Sequence, residues 1–423
     1  MVLVLLARNP TDSVTLGLLP AAHRFGLRVR VLTDDPEAHR AVYAAAQQEF
    51  GHPQPEVEGC TVTEVRAVLD AIAVPPVAVL SNSDHLQTQT ALAANYFELP
   101  GKDWRSAIRA RDKGLMRARL RQADLDDTEF VRLRPEDPIA LLDAVRFPAV
   151  VKPAEGVASE DVILVENATE LARRVAEIRR RRTGDLLVEG LIEGPLHTLE
   201  TLGDGSALRI WGGYRTTVSA APYFIEERLT WRPDLASEVS SGVLAQLAAL
   251  GVGFGACHTE FIITPDGPRI VEVNDRLIGD HCDFAMADLL AEPVFDDVIR
   301  VHLGEPPPSA PTIPAPKVSA SNIPVPASPD SAAPIRYGHV HWVLAGEDGE
   351  LLSAPEASSR TVLTSSGADV RLDYRPMRKL GTVARVSGTN RDYLGSIRVV
   401  GPDAGAAEAA TADFLRTERW VIQ

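Results

Sequence analysis

Runs of apolar residues change their period along the chain, and each change marks an element. VLVLLA (2–7) is continuously apolar, as a strand buried on both faces requires. A polar turn, RNPTDS, separates it from a helical stretch over 13–25. LRVRVLTDD reads as a second strand ending in acids, and VAVLSNSD (77–84) as another, followed by a helix through Ala94. Strands alternating with helices predict a small parallel sheet. Further on, WRSAIRARDKGLMRARLRQA (104–123) is a basic helical segment. FPAVVKPAEG (147–156) is a strand running into a loop, and ATELARRVAEIRRRR (168–182) is an amphipathic helix. DLLVEGLIEGPLHTLETL (185–202) predicts two strands across an EGP turn, and β structure continues over 206–230. SSGVLAQLAALG is a helix closed by glycine, GACHTEFIITPDGPRIVEVN (255–274) a hairpin, and 281–304 mainly helical. The composition then shifts to Pro, Ala and Ser over 305–334, too poor in large apolar groups for a core. From Arg336 strands with glycine-bearing turns resume, and GSIRVVG leads into a final helix.

The hairpin carries the most informative polar pattern. With PDG (265–267) as a three-residue turn, Thr264 faces Pro268, Glu260 falls opposite Glu272, and His258 opposite Asn274. Phe261, Ile263, Val271 and Val273 share the other face, which alternation assigns to the core. Carboxylates placed directly across a ladder repel. Either the hairpin is a solvated edge that tolerates the repulsion, or a cation lies between the strands. Carboxylate and amide oxygens suit Mg2+ or Mn2+, and Mg2+ usually reaches such sites with substrate phosphates.

Composition narrows the classes. The chain has 423 residues, room for two or three domains, and 45% hydrophobic content supports packed cores. No apolar run approaches the ~20 residues of a membrane span. The apolar start lacks a basic region and a cleavage site, so a strand is expected there rather than a signal peptide. Cys60, Cys257 and Cys282 form no CxxC pair, which fits a reduced, cytoplasmic protein without a zinc or disulfide framework. A net charge of −15 argues against nucleic acid as a partner, while a local basic cluster could still hold a small anion. Only five of the 43 basic residues are lysine. Lys113 and Lys152 are therefore candidates for the compact ammonium that suits a phosphate. The strand LLVEGLIEG could bond a nucleobase edge through its backbone, with Glu193 near enough to meet a ribose. No GxGxxG follows the first strand, so no dinucleotide site is expected there.

RDKGLMRARL, FPAVVKPAEGVAS, LLVEGLIEGP and HTEFIITPDGPRIVEVNDR occur in an order that resembles the ATP-grasp superfamily, specifically its carboxylate–amine ligases. The resemblance covers about residues 1–305. It implies an α/β (α+β) ATP-grasp fold: a Rossmann-like N-terminal domain over 1–103, a nucleotide-binding and catalytic region over 104–305, a linker over 306–334 and a β-rich C-terminal α+β domain over 335–423. It also implies roles. Lys113 and Lys152 contact ATP phosphates, and Glu189 and Leu191 bond adenine through the backbone. Glu260, Glu272 and Asn274 hold Mg2+, and Arg276 stabilises the acyl-phosphate. Arg215 in GGYRTT is a further candidate for acyl-phosphate contact, and His258 and His281 for substrate.

Two departures stand out. The phosphate-covering loop reads GVASED, with Glu160 and Asp161 where a basic residue and a glycine are common, leaving Ser159 as a hydrogen-bond donor. The residue after EGP is Leu196 where the family often has the ribose-binding Glu, so Glu193 is the substitute. The expected activity is ATP-dependent joining of a small-molecule carboxylate to an amine through an acyl-phosphate, in an enzyme of a kind often dimeric. RLIGDHCDFAMADLL, which should line the acceptor pocket, is more similar to ligases of peptide, siderophore and other natural-product assembly than to purine or cell-wall enzymes. A carboxylase or small-molecule kinase on the same core, or a non-catalytic nucleotide-binding protein, are the competing expectations.

Overall fold

The computed structural model describes residues 1–138, 145–233, 235–308, 313–314, 336–364 and 367–423. The linker expected over 306–334 lies largely outside the described residues; Ile313 and Pro314 pair with Leu208 and Ala207. No helix among the described residues is long and apolar enough to cross a membrane.

The first sheet is parallel and four-stranded, in the order Glu56–Gly59, Arg28–Thr33, Val2–Leu6, Ala78–Leu80. Its central strand explains the continuous apolar run. Leu3 and Leu5 enter one core with Phe295 and Val298, and Val4 and Leu6 enter another with Val68 and Leu86. The edge strand Glu56–Gly59 is largely exposed and reads EVEG, so it carries no hydrophobic signal.

A four-stranded antiparallel sheet runs Phe130–Leu133, Leu186–Gly190, Ala149–Pro153, Ile163–Val165. The helix Ala168–Arg179 covers it with Leu171, Val175 and Ile178, one helical face, and Asn167 caps its start by accepting from Glu170 N–H at 3.0 Å.

The large sheet is antiparallel. It begins at the hairpin Gly267–Asn274 and Phe254–Thr264, then continues through Leu196–Asp204, Ala207–Val218 and Glu226–Arg232. Four C-terminal strands, Tyr337–Leu344, Tyr393–Gly401, Asp369–Pro376 and Ser358–Leu363, extend it without a break. The strands on either side of EGP therefore lie in different sheets, and the turn is a crossover between them.

The basic segment 104–123 is two helices, Trp104–Arg111 and Lys113–Gln122. Asp112 leaves the helical conformation and caps the second helix by accepting from Leu115 N–H at 2.9 Å. The break buries Lys113 in a first turn, where its N–H donates to Ala154 O at 3.0 Å.

On the core face of the hairpin, Phe261 is wholly buried, pairs with Ile270 and stacks on His197. Phe261→Ala is expected to cost about 3–5 kcal/mol of unfolding free energy. Urea unfolding followed by tryptophan fluorescence measures this, and a loss below about 1 kcal/mol would show that this face does not hold the hairpin.

Candidate active site

A cavity of about 370 Å3 lies between the four-stranded antiparallel sheet and the large sheet. Ten of the residues singled out in the sequence line it: Lys113, Lys152, Ser159, Glu189, Leu191, His258, Glu260, Glu272, Asn274 and Arg276.

The hairpin reaches the expected opposition by a different route. Its turn has two residues, with Thr264 paired to Gly267, and a bulge follows: Phe261 pairs with Ile270 but Glu260 with Glu272. The two departures cancel, so Glu260 faces Glu272 and His258 faces Asn274. Val271 is the extra residue of the bulge. Expected in the core, it lines the cavity beside Glu272 instead.

Cations divide the two carboxylates. Lys113 Nζ stands 3.0 Å from Glu272 and donates to Gly156 O at 3.2 Å. His258 bonds Glu200 at 2.8 Å through Nδ1 and stands 3.5 Å from Glu260 through Nε2. Burial alone would lower the His258 pKa; Glu200 and Glu260 outweigh it and push it up to about 10. Burial works against ionisation of Glu260, but His258, Lys113 and Arg276 hold its pKa below the usual range.

The Asn274 side chain makes no hydrogen bond with any described residue, so its carbonyl oxygen is available. No group of three His, Cys, Asp or Glu among the described residues is arranged to hold a metal by itself. Two carboxylates and an amide fit a hard cation that arrives with phosphate oxygens.

Behind the cavity runs a buried network that the sequence did not reveal. Lys152 is ion-paired to Glu189. Arg117 bonds Glu189 at 2.9 Å, Asp126 at 2.6 Å and Ile270 O at 2.6 Å. Arg117 was one arginine among several in a basic run, and nothing local marks it. Burial alone would raise the Glu189 pKa; Arg117 and Lys152 overcome this and hold it at about 2.

Several expectations need correction. Leu191 N–H donates to Pro148 O at 3.1 Å and is not free for adenine. The next residue, Ile192, also lines the cavity, and its N–H has no partner among the described residues. Glu193 is exposed and off the cavity wall, because the crossover turns it outward. Arg215 is exposed too: Tyr214 and Thr216 take the inward positions of that strand. His281 lines a neighbouring cavity and bonds Asp12 at 2.9 Å and Ser396 at 2.6 Å. Arg276, expected to stabilise the acyl-phosphate, gives Nε and Nη2 to Asp84 at 3.0 and 2.8 Å and Nη1 to Leu277 O at 3.0 Å, so only part of its fork is open to a ligand.

Ala158, Ser159 and Asp161 of the loop GVASED have φ of 58°, 54° and 56°. Glu160 pairs with Arg391 and stands 3.4 Å from Arg182, and Asp161 stands 2.7 Å from Arg181. Asn390 N–H donates to Ala158 O at 3.1 Å. The Asn390 side chain also donates to Glu226 at 3.0 Å, and both residues line the cavity. Burial and the nearby Glu260 push the Glu226 pKa up to about 8. Neither Glu226 nor Asn390 belongs to a motif in the sequence.

No family model matches the chain. It is 26% identical over 336 residues to the uncharacterized protein y4rH of Sinorhizobium fredii, covering 77% of this chain and 64% of that one. It is 25% identical over 329 residues to carnosine synthase 1 of Gallus gallus, covering 72% of this chain and 35% of the relative. The chain thus spans less than two thirds of either relative's length. Among solved structures, L-amino acid ligase from Bacillus licheniformis aligns over 100% of this chain and 98% of its own, with TM-score 0.74 and 19% identity. The chain has the ATP-grasp fold. Within that fold, the proteins it is similar to include carboxylate–amine ligases.

The depressed pKa of Glu189 makes a stability prediction. The folded value lies below the ordinary 4.5, so its contribution is fully present above about 4.5 and is lost as pH falls toward about 2. That window corresponds to about 3 kcal/mol. Urea midpoints measured against pH should fall more steeply through it for the wild type than for Glu189→Gln; equal slopes would refute the pairing.

Proposed function

We propose that the protein is an ATP-dependent ligase that joins a small-molecule carboxylate to an amine through an acyl-phosphate, releasing ADP and phosphate. One observation carries the reading: facing carboxylates, two buried lysines and a clamped arginine converge on one cavity between two sheets.

In this reading adenine lies between the apolar walls near Val150 and Ile262 and accepts a hydrogen bond from Ile192 N–H. Lys113 and Lys152 face the phosphates as point charges. A Mg2+ ion held by Glu260, Glu272 and Asn274 would neutralise charge on the phosphate oxygens. Arg276 uses the N–H groups that Asp84 and Leu277 leave free to hold the substrate carboxylate. A carboxylate oxygen attacks the γ-phosphorus and ADP leaves. The amine then attacks the acyl carbon, phosphate leaves and the nitrogen loses a proton. The protein's contribution is positioning and charge stabilisation, which dominate phosphoryl transfer.

The names of two similar proteins, an L-amino acid ligase and a carnosine synthase, put amino acids in the first substrate panel. Incubation with ATP, Mg2+ and pooled acids and amines should yield ADP and phosphate only when both are present, with a condensed product visible by mass spectrometry. Phosphate release driven by bicarbonate alone would overturn the reading in favour of a carboxylase, and phosphate transfer to an acceptor without a carboxyl group in favour of a kinase. Glu272→Gln and Lys152→Met should each lower turnover by about 100-fold or more. Undiminished turnover in Glu272→Gln would remove the metal assignment.

A further inference from the structure

A second cavity, of about 470 Å3, adjoins the first. It lies at the carboxyl ends of the parallel strands, where Arg8 and Asp12 follow the first strand and His85 follows the fourth. The two cavities share Asp84, Arg276 and Asp280 in their walls. Asp84 and Arg276 bond each other. Asp280 forms no hydrogen bond or ion pair with any described residue, yet it is close enough to Arg276 for the two charges to act on each other.

The backbone at this point is unusual. Asp280 and His281 are consecutive non-glycine residues in the left-handed region, at φ 52° and 69°. That conformation is disfavoured for L-residues and persists where the surroundings fix it. The bonds from His281 to Asp12 and Ser396 fix this turn and so hold Asp280 at the shared wall.

From this we infer that Asp280 is a specificity residue: it binds the ammonium of an α-amino acid whose carboxylate lies on Arg276. The assignment rests on the ligase reading above. A guanidinium and an unpaired carboxylate on one wall complement a carboxylate and an ammonium one carbon apart. The second cavity then receives the amino acid side chain. The ammonium bound there is not the attacking amine, because an amine kept on a carboxylate stays protonated and cannot attack.

Asp280→Asn removes the charge and keeps a residue type that tolerates the left-handed backbone. The test compares an α-amino acid with its desamino counterpart as the acid, with ATP, Mg2+ and an amino acid amide as the amine, which cannot itself be activated. Thermal melts of both proteins check that the variant is folded. The wild type should favour the amino acid. Asp280→Asn should raise its KM on the order of tenfold or more and leave the desamino acid unchanged. Asp280→Glu should restore part of the preference. Three results would overturn the assignment: equal use of both acids by the wild type, an unchanged preference in Asp280→Asn, or a rise confined to the KM of the amine. If no acid and amine pair yields ADP, the ligase reading itself fails, and this assignment with it.

Discussion

The buried ion network of Lys152, Glu189, Arg117 and Asp126 is the constraint on which the site depends. Two cations and two carboxylates are withdrawn from water, each side chain at most 5% exposed. Desolvation of such groups costs several kcal/mol per ion and is offset only by close, multiply bonded geometry. Arg117 supplies that geometry by bonding two carboxylates and a backbone carbonyl at once. Those partners lie on different elements: Glu189 on the small sheet, Ile270 on the hairpin of the large one. The network thus fixes the separation of the two sheets, and the cavity between them takes its width from a polar contact. An apolar contact of the same area would hold the sheets together but would specify their register less strictly.

The C-terminal strands contribute to the same cavity. They continue the large sheet, and the turn after Thr389 meets the loop GVASED at Ala158 and Glu160. Glu160 and Asp161 looked like a loss of positive charge toward phosphate. In the fold they are fastening points for Arg391, Arg181 and Arg182. These acids therefore anchor the loop to neighbouring arginines, and the buried lysines of the cavity wall, Lys113 and Lys152, lie outside the loop.

How much was legible in the sequence follows from the range of the interactions. Alternation and turn chemistry act over a few residues, so the strand pattern, the hairpin and the facing of Glu260 and Glu272 were readable. Even there, the shorter two-residue turn is offset by a bulge that no local signal announces. Arg215 and Glu193 were misplaced because their orientation depends on neighbouring strands and on a crossover between sheets. The partners that define Arg276, Glu226 and Glu189 are Asp84, Asn390 and Arg117, at separations of 192, 164 and 72 residues. A single sequence carries no mark of such pairs beyond the presence of compatible residue types. The motif order legible in the chain pointed to the fold, and the motif residues fell on the cavity because the fold put them there.

The cations of the cavity are not equally free to change partners. Lys152 shares a fully buried carboxylate with Arg117, and parting such a pair leaves an uncompensated charge, at about 3–5 kcal/mol. Arg276 is similarly held by Asp84, with both side chains at most 17% exposed. Lys113 differs: its partner Glu272 is 20% exposed and lies on the hairpin edge of the cavity. Water can solvate that carboxylate when the contact opens, but the Lys113 ammonium is only 6% exposed, so the contact opens at low cost only when an incoming anion takes the lysine. An anion entering between the sheets therefore meets two fixed charges and one that can exchange. Exchange at Lys113 would free Glu272, one of the two facing carboxylates, for another cation. The opposition of Glu260 and Glu272 is thus held by a lysine and a histidine and can pass to another cation without disturbing the buried network behind it.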